Sequence, residues 1–316
     1  MSRMPKTRRD RGHDTGLALV NALVLVAALS AVAVLLLQLA QGARLRQAQT
    51  QEMVQAEAYL DGLELLVIGI LDADRQSGEA DHLGEAWAKA GSGAGGSVPI
   101  DRGTGTYEIS DLQGKYSLNW LSGGDALFGE DAYGDLLAAA GLSDELGQSI
   151  RDFIGPNGPR NPQPYLQQTP PVLPRGGLQI LPQLRQVAGM TPAAYARLDQ
   201  MFTAVQTEGA LNVNTAPAAV LAVALPDLSP SDIATLVEKR RQTPFTEAEA
   251  LQLELTRMLG AEKAEEFDFG PYGISSHWFA AQISVTLGQT RLARRVILER
   301  SGETGKTKAS FRFADN

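Results

Sequence analysis

The hydrophobic pattern of this chain changes character several times between its ends. Leu17 to Ala43 is a run of 27 residues without a charge, built from Leu, Val and Ala, with Asn21, Ser30, Gln38 and Gln41 as its polar members. About 20 residues of helix cross the hydrocarbon layer, so the run is long enough to span a membrane with some tilt. Apolar positions then continue at spacings of mostly three and four through Leu45, Ala48, Val54, Tyr59, Leu63, Leu66, Val67, Ile70 and Leu71. That period predicts one helix from residue 17 to about residue 74, roughly 87 Å long at 1.5 Å per residue, whose outer half is amphipathic.

Past the glycine-rich stretch Gly91 to Gly96, which reads as a loop, the period becomes two. Tyr107 and Ile109 alternate with polar residues, Gln113-Gly114-Lys115 reads as a turn, and Tyr116, Leu118 and Trp120 alternate again, which predicts a hairpin. A second hairpin is predicted near the C-terminus: Phe279, Ala281, Ile283, Val285 and Leu287 alternate, Gly288-Gln289 turns, and Val296 and Leu298 share a face of Arg294 to Glu299. The residues after Ser301 read as a flexible tail. Between the hairpins the sequence is mainly helical. Met190 to Leu198 aligns with Leu228 to Leu236, and a poorer copy begins at Leu142-Ser143-Asp144. Thr191-Pro192 and Ser229-Pro230 are helix starts, a capping hydroxyl followed by a residue with no amide to satisfy. Gly155 to Pro182 holds eight of the sixteen prolines and reads as an irregular surface loop.

The expected fold is therefore α+β, a long N-terminal helix packed on an antiparallel sheet that a large all-α insertion interrupts. The expected boundaries are a leader at 1–16, a membrane half-helix at 17–43, the stalk helix and first part of the α+β domain at 44–124, the insertion at 125–270, and the closing strands and tail at 271–316.

Charge and composition narrow the function. There is no cysteine and there are only three histidines, so thiol chemistry, cysteine-ligated metals and a histidine triad have no residues to use, and the chain points away from an enzyme. The net charge is −8, but residues 1–16 carry five basic and two acidic side chains, +3, which leaves −11 for the other 300. A basic flank before the apolar run predicts a cytoplasmic N-terminus and an exported C-terminal part. The apolar run is too long for a cleaved secretory signal. Basic residues stop before Gly16 and the run starts at Leu17, the arrangement of a prepilin leader.

Those features together resemble the type IV pilins and type II secretion pseudopilins. The fifth residue of the mature chain, usually glutamate in that class, is Asn21 here. A carboxylate in hydrocarbon needs a partner, by resemblance the amine of the subunit ahead, so a neutral side chain suits a subunit with none ahead of it; Asn21 is equally readable as an ordinary polar residue of an anchor. Further motifs are Leu211-Asn212-Val213-Asn214-Thr215-Ala216-Pro217, Pro244-Phe245, Tyr116-Ser117-Leu118-Asn119, Gly189 to Leu198 and Ser276-His277-Trp278-Phe279. Their order resembles the GspK family, the large minor pseudopilin of type II secretion. The resemblance implies a non-enzymatic subunit at the tip of the periplasmic pseudopilus, a single pass through the inner membrane, cleavage after Gly16 and methylation of Leu17 by prepilin peptidase, and partners among minor pseudopilins of the I and J types. It also implies that calcium can bind in the helical domain, for which Glu130, Asp131, Asp135 and Asp152 are candidate ligands, with Asp72, Asp74, Glu79 and Asp81 a second acidic run; acidic runs of this kind are more often solvated surface.

Two alternatives stay open. One is a type IV pilus minor pilin. The other is a membrane-anchored DNA-uptake protein, because Leu211 to Phe245 is also similar to helix-hairpin-helix modules. Its turn, Leu225 to Pro230, lacks glycine and contains Asp227, and residues 205–260 carry four basic against seven acidic side chains, which would repel phosphate. Arg291, Arg294, Arg295 and Arg300 read as a solvated edge that discourages strand pairing, and His277 as a structural residue at a strand start. Gly302 to Thr307 lacks the spacing of a phosphate loop.

Overall fold

The computed structural model describes residues 12–89, 96–121, 128, 130–172, 176–205 and 210–314. The chain divides into two compact units, Met1–Glu57 and Ala58–Asn316, and each is taken by itself. Both draw on α1, Gly12–Ser77, a single helix that starts within the expected leader and ends three residues beyond the expected limit. In the first unit the apolar segment is exposed at every position from 19 to 41. It is long and apolar enough to cross a membrane.

In the second unit Leu60, Leu63, Val67 and Leu71, three and four residues apart, are buried. Full burial of each such side chain contributes about 1.5–3 kcal/mol. Leu66, expected on the same stripe, is exposed together with Leu65. After α1 come a short helix α2 (Ala86–Lys89) and strands β1 (Gly96–Ile100) and β2 (Gly103–Asp111). β3 (Tyr116–Ser117) leads into the helical part: α3 (Glu130–Ala139), α4 (Asp144–Ile154), α5 (Gln163–Leu166), α6 (Pro192–Met201), β4 (Phe202–Thr203), β5 (Leu211–Asn212), α7 (Ala218–Ala224), α8 (Pro230–Gln242), α9 (Ala248–Leu259) and α10 (Ala261–Glu266). β6 (Tyr272–Gly273), β7 (Trp278–Leu287), β8 (Thr290–Arg300) and β9 (Thr307–Ala314) close the chain.

The main sheet has the order β1-β2-β7-β8-β9, antiparallel throughout, so residues 112–277 are inserted between two neighbouring strands. The fold is α+β, a pilin-like helix and antiparallel sheet carrying a helical insertion. Ile109 pairs with Ala281 across the insertion point. One face of β7, Phe279, Ala281, Ile283, Val285 and Leu287, is buried. Gly105 admits α1 closely, since a Cβ there would come 3.0 Å from Leu63. Glu64 on α1 accepts from Arg312 of β9, and Asp72 accepts from the Thr307 amide, 2.8 Å.

Three expectations change. Tyr116, Leu118 and Trp120 do not return along β2. Asp111 accepts from the Gln113 amide, 2.7 Å, and turns the chain out of the sheet. β3 pairs in parallel with β4, and Leu118–Leu121 is a 3₁₀ turn. β2 uses its free edge on β7 instead and forms its own hairpin with β1 through Asp101-Arg102, where Arg102 takes φ 59°. The second change concerns the tail after Ser301, which is not free: β9 pairs with β8 along Thr307–Ala314. Third, β8 is therefore an inner strand, and the arginines read as its edge protection are mostly engaged. Arg294 meets Asp61, Arg295 meets Asp199, and Arg300 is buried, while Arg291 is exposed.

The Gly288-Gln289 turn lies between β7 and β8, with Gly288 at φ 58°. All three repeat copies begin helices. Ser143, Thr191 and Ser229 accept from the amides of Leu146, Ala194 and Asp232, and Asp232 returns a bond to the Ser229 amide. The 155–182 stretch is largely irregular, with α5 its one α-helix among the described residues, and it still buries Tyr165, Leu178 and Leu181. Residues 91–95 of the expected glycine loop lie outside the described residues, and Gly96 opens β1.

Candidate functional site: a buried polar junction

Where the insertion leaves and rejoins the sheet, polar side chains replace the apolar core. Asn212, in β5, is fully buried. Its Nδ2 lies 3.1 Å from the Asp81 carbonyl, 3.2 Å from Asp111 Oδ2 and 2.8 Å from Ser276 Oγ. Its Oδ1 accepts from the Asn214 amide, 3.0 Å, which forms the local turn. Thr215 and Ser276 both donate to Asp111 Oδ2. One asparagine thus ties β5 to the end of β2, to the segment after α1 and to the residues before β7.

Asn214 makes the complementary contact inside the insertion. Its Nδ2 donates to the Phe245 carbonyl, 2.8 Å, and its Oδ1 accepts from the Phe245 amide, 3.0 Å. The buried Arg240 of α8 donates to the carbonyls of Val213 and Ala216, which closes the same turn. Ala216 is buried, Pro217 stands before α7, and Pro244 precedes the held Phe245. Asn119 does for the 3₁₀ turn what Asn214 does here: it donates to Leu178 and Ala204 carbonyls at 2.9 and 2.6 Å and accepts from the Leu178 amide at 2.7 Å. Each asparagine satisfies backbone groups that irregular buried segments would otherwise leave unpaired, and an amide is suited to this because it donates and accepts.

The charged part of the junction is Arg300 with three carboxylates. Arg300 Nη2 donates to both oxygens of Asp81 at 2.5 Å and to the Ser276 carbonyl at 2.7 Å, and Nη1 lies 3.5 Å from Asp74. Its guanidinium also lies 4.8 Å from the Phe279 ring centroid. Oxygens of Asp74, Asp81 and Glu85 lie within 4.8 Å of one another. One cation does not neutralise them and the nearby Asp111. Burial pushes Asp81 up to about 7 and Asp74 up to about 6, the latter with help from Glu85, and burial also raises Asp111. The acidic run read as solvated surface thus divides: Asp81 and Asp74 are in the junction, Asp72 holds β9, and Glu79 meets Arg75 at the exposed end of α1. His277 lies just before β7; its amide donates to Gln113 Oε1, and partial desolvation of the ring followed by Arg300 lowers its pKa.

Asp131 and Asp135 are exposed on α3, Asp152 accepts from Gln148 on α4, and the Glu130 side chain lies outside the described residues. Among the described residues Asp131, Asp135 and Asp152 do not gather their carboxylate oxygens around a common point. The group that does gather, Asp74, Asp81 and Glu85, has the Arg300 guanidinium as its cation. In the helical hairpin each basic side chain has a partner: Arg240 the buried turn carbonyls, Arg241 the exposed Glu238, and Lys239 and Arg257 the buried Glu254. Arg257 holds Glu254 down to about 2. This geometry gives the DNA-uptake alternative no support. Asn21 is exposed on α1; Gly16 and Leu17 are in its backbone, with their side chains outside the described residues.

A helix whose buried stripe packs on an antiparallel sheet, with a helical insertion anchored by buried asparagines, is a pilin-like fold with an enlarged head. Residues 211–268 and residues 114–207 match two models, both described as type II secretion system (T2SS), protein K. The type II secretion system protein K of Pseudomonas aeruginosa is 28% identical over 324 residues, covering 96% of this chain and 93% of that protein. Its counterpart in Klebsiella pneumoniae is 27% identical, covering 92% and 94%. A chain in the crystal structure of the GspK-GspI-GspJ complex from enterotoxigenic Escherichia coli is similar in fold, with a TM-score of 0.68, 18% identity and coverage of 86% of this chain and 99% of that one. The chain is thus similar, over most of its length, to type II secretion system protein K, the large minor pseudopilin.

Proposed function

We propose that this protein caps the tip of the type II secretion pseudopilus and helps to initiate it. The observation that carries the reading is the insertion of residues 112–277 between adjacent strands, which gives the head a bulk that would obstruct a further subunit stacked above it. The neutral Asn21 agrees with a subunit that has no amine ahead to meet. The apolar segment of α1 would anchor the chain in the inner membrane, with the basic N-terminus in the cytoplasm and the head in the periplasm. Minor pseudopilins of the I and J types would join it from below; the E. coli chain that is similar in fold comes from a GspK-GspI-GspJ complex. Its part in secretion is positional, with no bond made or broken by its own residues.

Prepilin peptidase would cut after Gly16 and methylate Leu17. Mass spectrometry of the protein from cells with active peptidase tests this: the expected terminus is methylated Leu17, and a chain still starting at Met1 would refute assignment of the processing site.

A further inference from the structure

The head as a whole is acidic, yet one groove in it is basic. It has a volume of about 590 Å³ and lies between the insertion and the face of the sheet that presents Gln282, with Arg185, Tyr195, Asp199, Gln200 and Arg295 in its lining. Asp199 is its one carboxylate among the described lining residues, and it is already held by Arg295 through two bonds of 2.6 and 2.8 Å. Behind it, Lys115 donates to the Asp199 carbonyl at 2.6 Å. Glu108, opposite Gln282 in the register, lines a separate cavity. Three cations therefore surround one carboxylate.

Arg185 is the cation left over. Its guanidinium lies over the Tyr195 ring, 4.5 Å from the centroid, and it makes no salt bridge among the described residues. Stacking fixes the plane of a guanidinium while its N–H edge stays available, the arrangement that suits paired contact with a carboxylate. Gln200 adds an amide group able to bind an extended backbone. The geometry points to this groove as a docking site for an acidic, extended segment of another protein, with Arg185 taking a carboxylate of that segment. Charge complementarity selects this occupant, because an apolar segment would leave the Arg185 guanidinium facing it without a carboxylate. The inference stands apart from the tip placement and holds wherever in the fibre the head sits.

The test uses the full chain in non-ionic detergent and a fluorescent peptide of alternating glutamate and serine, with a glutamine–serine peptide as its neutral counterpart. The acidic peptide should bind and weaken with added salt, and the neutral one should not bind. Arg185→Glu should lower affinity by about tenfold or more, whereas Arg291→Glu, the same charge change at an exposed site outside the groove, should leave it unchanged. Arg185→Gln gives the same reading should the charge reversal disturb folding. Absence of binding, equal loss in Arg185→Glu and Arg291→Glu, or self-association that disappears in Arg185→Glu would each overturn the proposal, the last because the occupant would then be a second copy.

Discussion

Replacing Arg300 by methionine removes the one guanidinium that meets Asp81 and Asp74 while keeping a long apolar stem against Phe279. Asp81 is 1% exposed and Arg300 3%, so water cannot replace the lost partner. Breaking a buried pair on one side costs about 3–5 kcal/mol. The neighbouring carboxylates add to this, since their oxygens lie within 4.8 Å of one another; like charges at that distance repel by roughly 3 kcal/mol at an effective dielectric near 20. Proton uptake limits the total. Asp81 and Asp74 have folded pKa values of about 7 and about 6, above the unfolded value of 3.8, so the native state binds more protons than the unfolded state between those limits. These groups therefore add stability as pH falls through about 7 towards 4 and lose it as pH rises. Without Arg300 their pKa values rise further, so the variant gains more on acidification than the wild type. Urea unfolding of the full chain in detergent can be followed by fluorescence, since Trp87, Trp120 and Trp278 all lie in the head. Arg300→Met should be destabilised by about 3–5 kcal/mol near pH 8, and by clearly less near pH 5. A loss below about 1 kcal/mol, or one unchanged between the two conditions, would refute the idea that Arg300 neutralises a buried acidic junction.

Asn214→Ala leaves the Phe245 amide and carbonyl without their partner in a buried segment, so the same unfolding assay should register about 2–4 kcal/mol. Ser229→Ala removes the hydroxyl that caps α8, and a smaller loss of about 1 kcal/mol is expected from urea unfolding, while the wild-type value would show that Asp232 suffices.

Periodicity carried most of the architecture. The charge-free run marked the apolar part of α1, the stripe through Leu63, Val67 and Leu71 and the alternation in β7 each report one face of one element, and the two Ser/Thr-Pro pairs reported helix starts through a local bond. Pairing was harder to read. Tyr116 alternates like a hairpin partner of β2, but the edge it would occupy belongs to β7, which lies 170 residues further on than β2 does in the register Ser110↔Ala280. In β9, Thr307, Ala309, Phe311 and Phe313 alternate with Lys308, Ser310 and Arg312, a strand signal obscured by the glycines at 302 and 305. Asn212 and Asn214 stood out as a motif, whereas Asp111 did not, and Asp81 and Arg300 read as solvated surface. Nothing local separates a buried carboxylate from a solvated one when its partner lies more than 100 residues away, as Arg300 does from Asp81. The signal that could have found them is the end of β2 coinciding with Asp111 and the end of β8 with Arg300.

The tip placement is tested most directly by labelling this protein in assembled pseudopili. The chain would be expressed with the I and J minor pseudopilins and the major subunit, carrying an epitope in the helical insertion, and fibres viewed by electron microscopy with immunogold. A single label at one end of each fibre is the expected result; labels distributed along the shaft would contradict it.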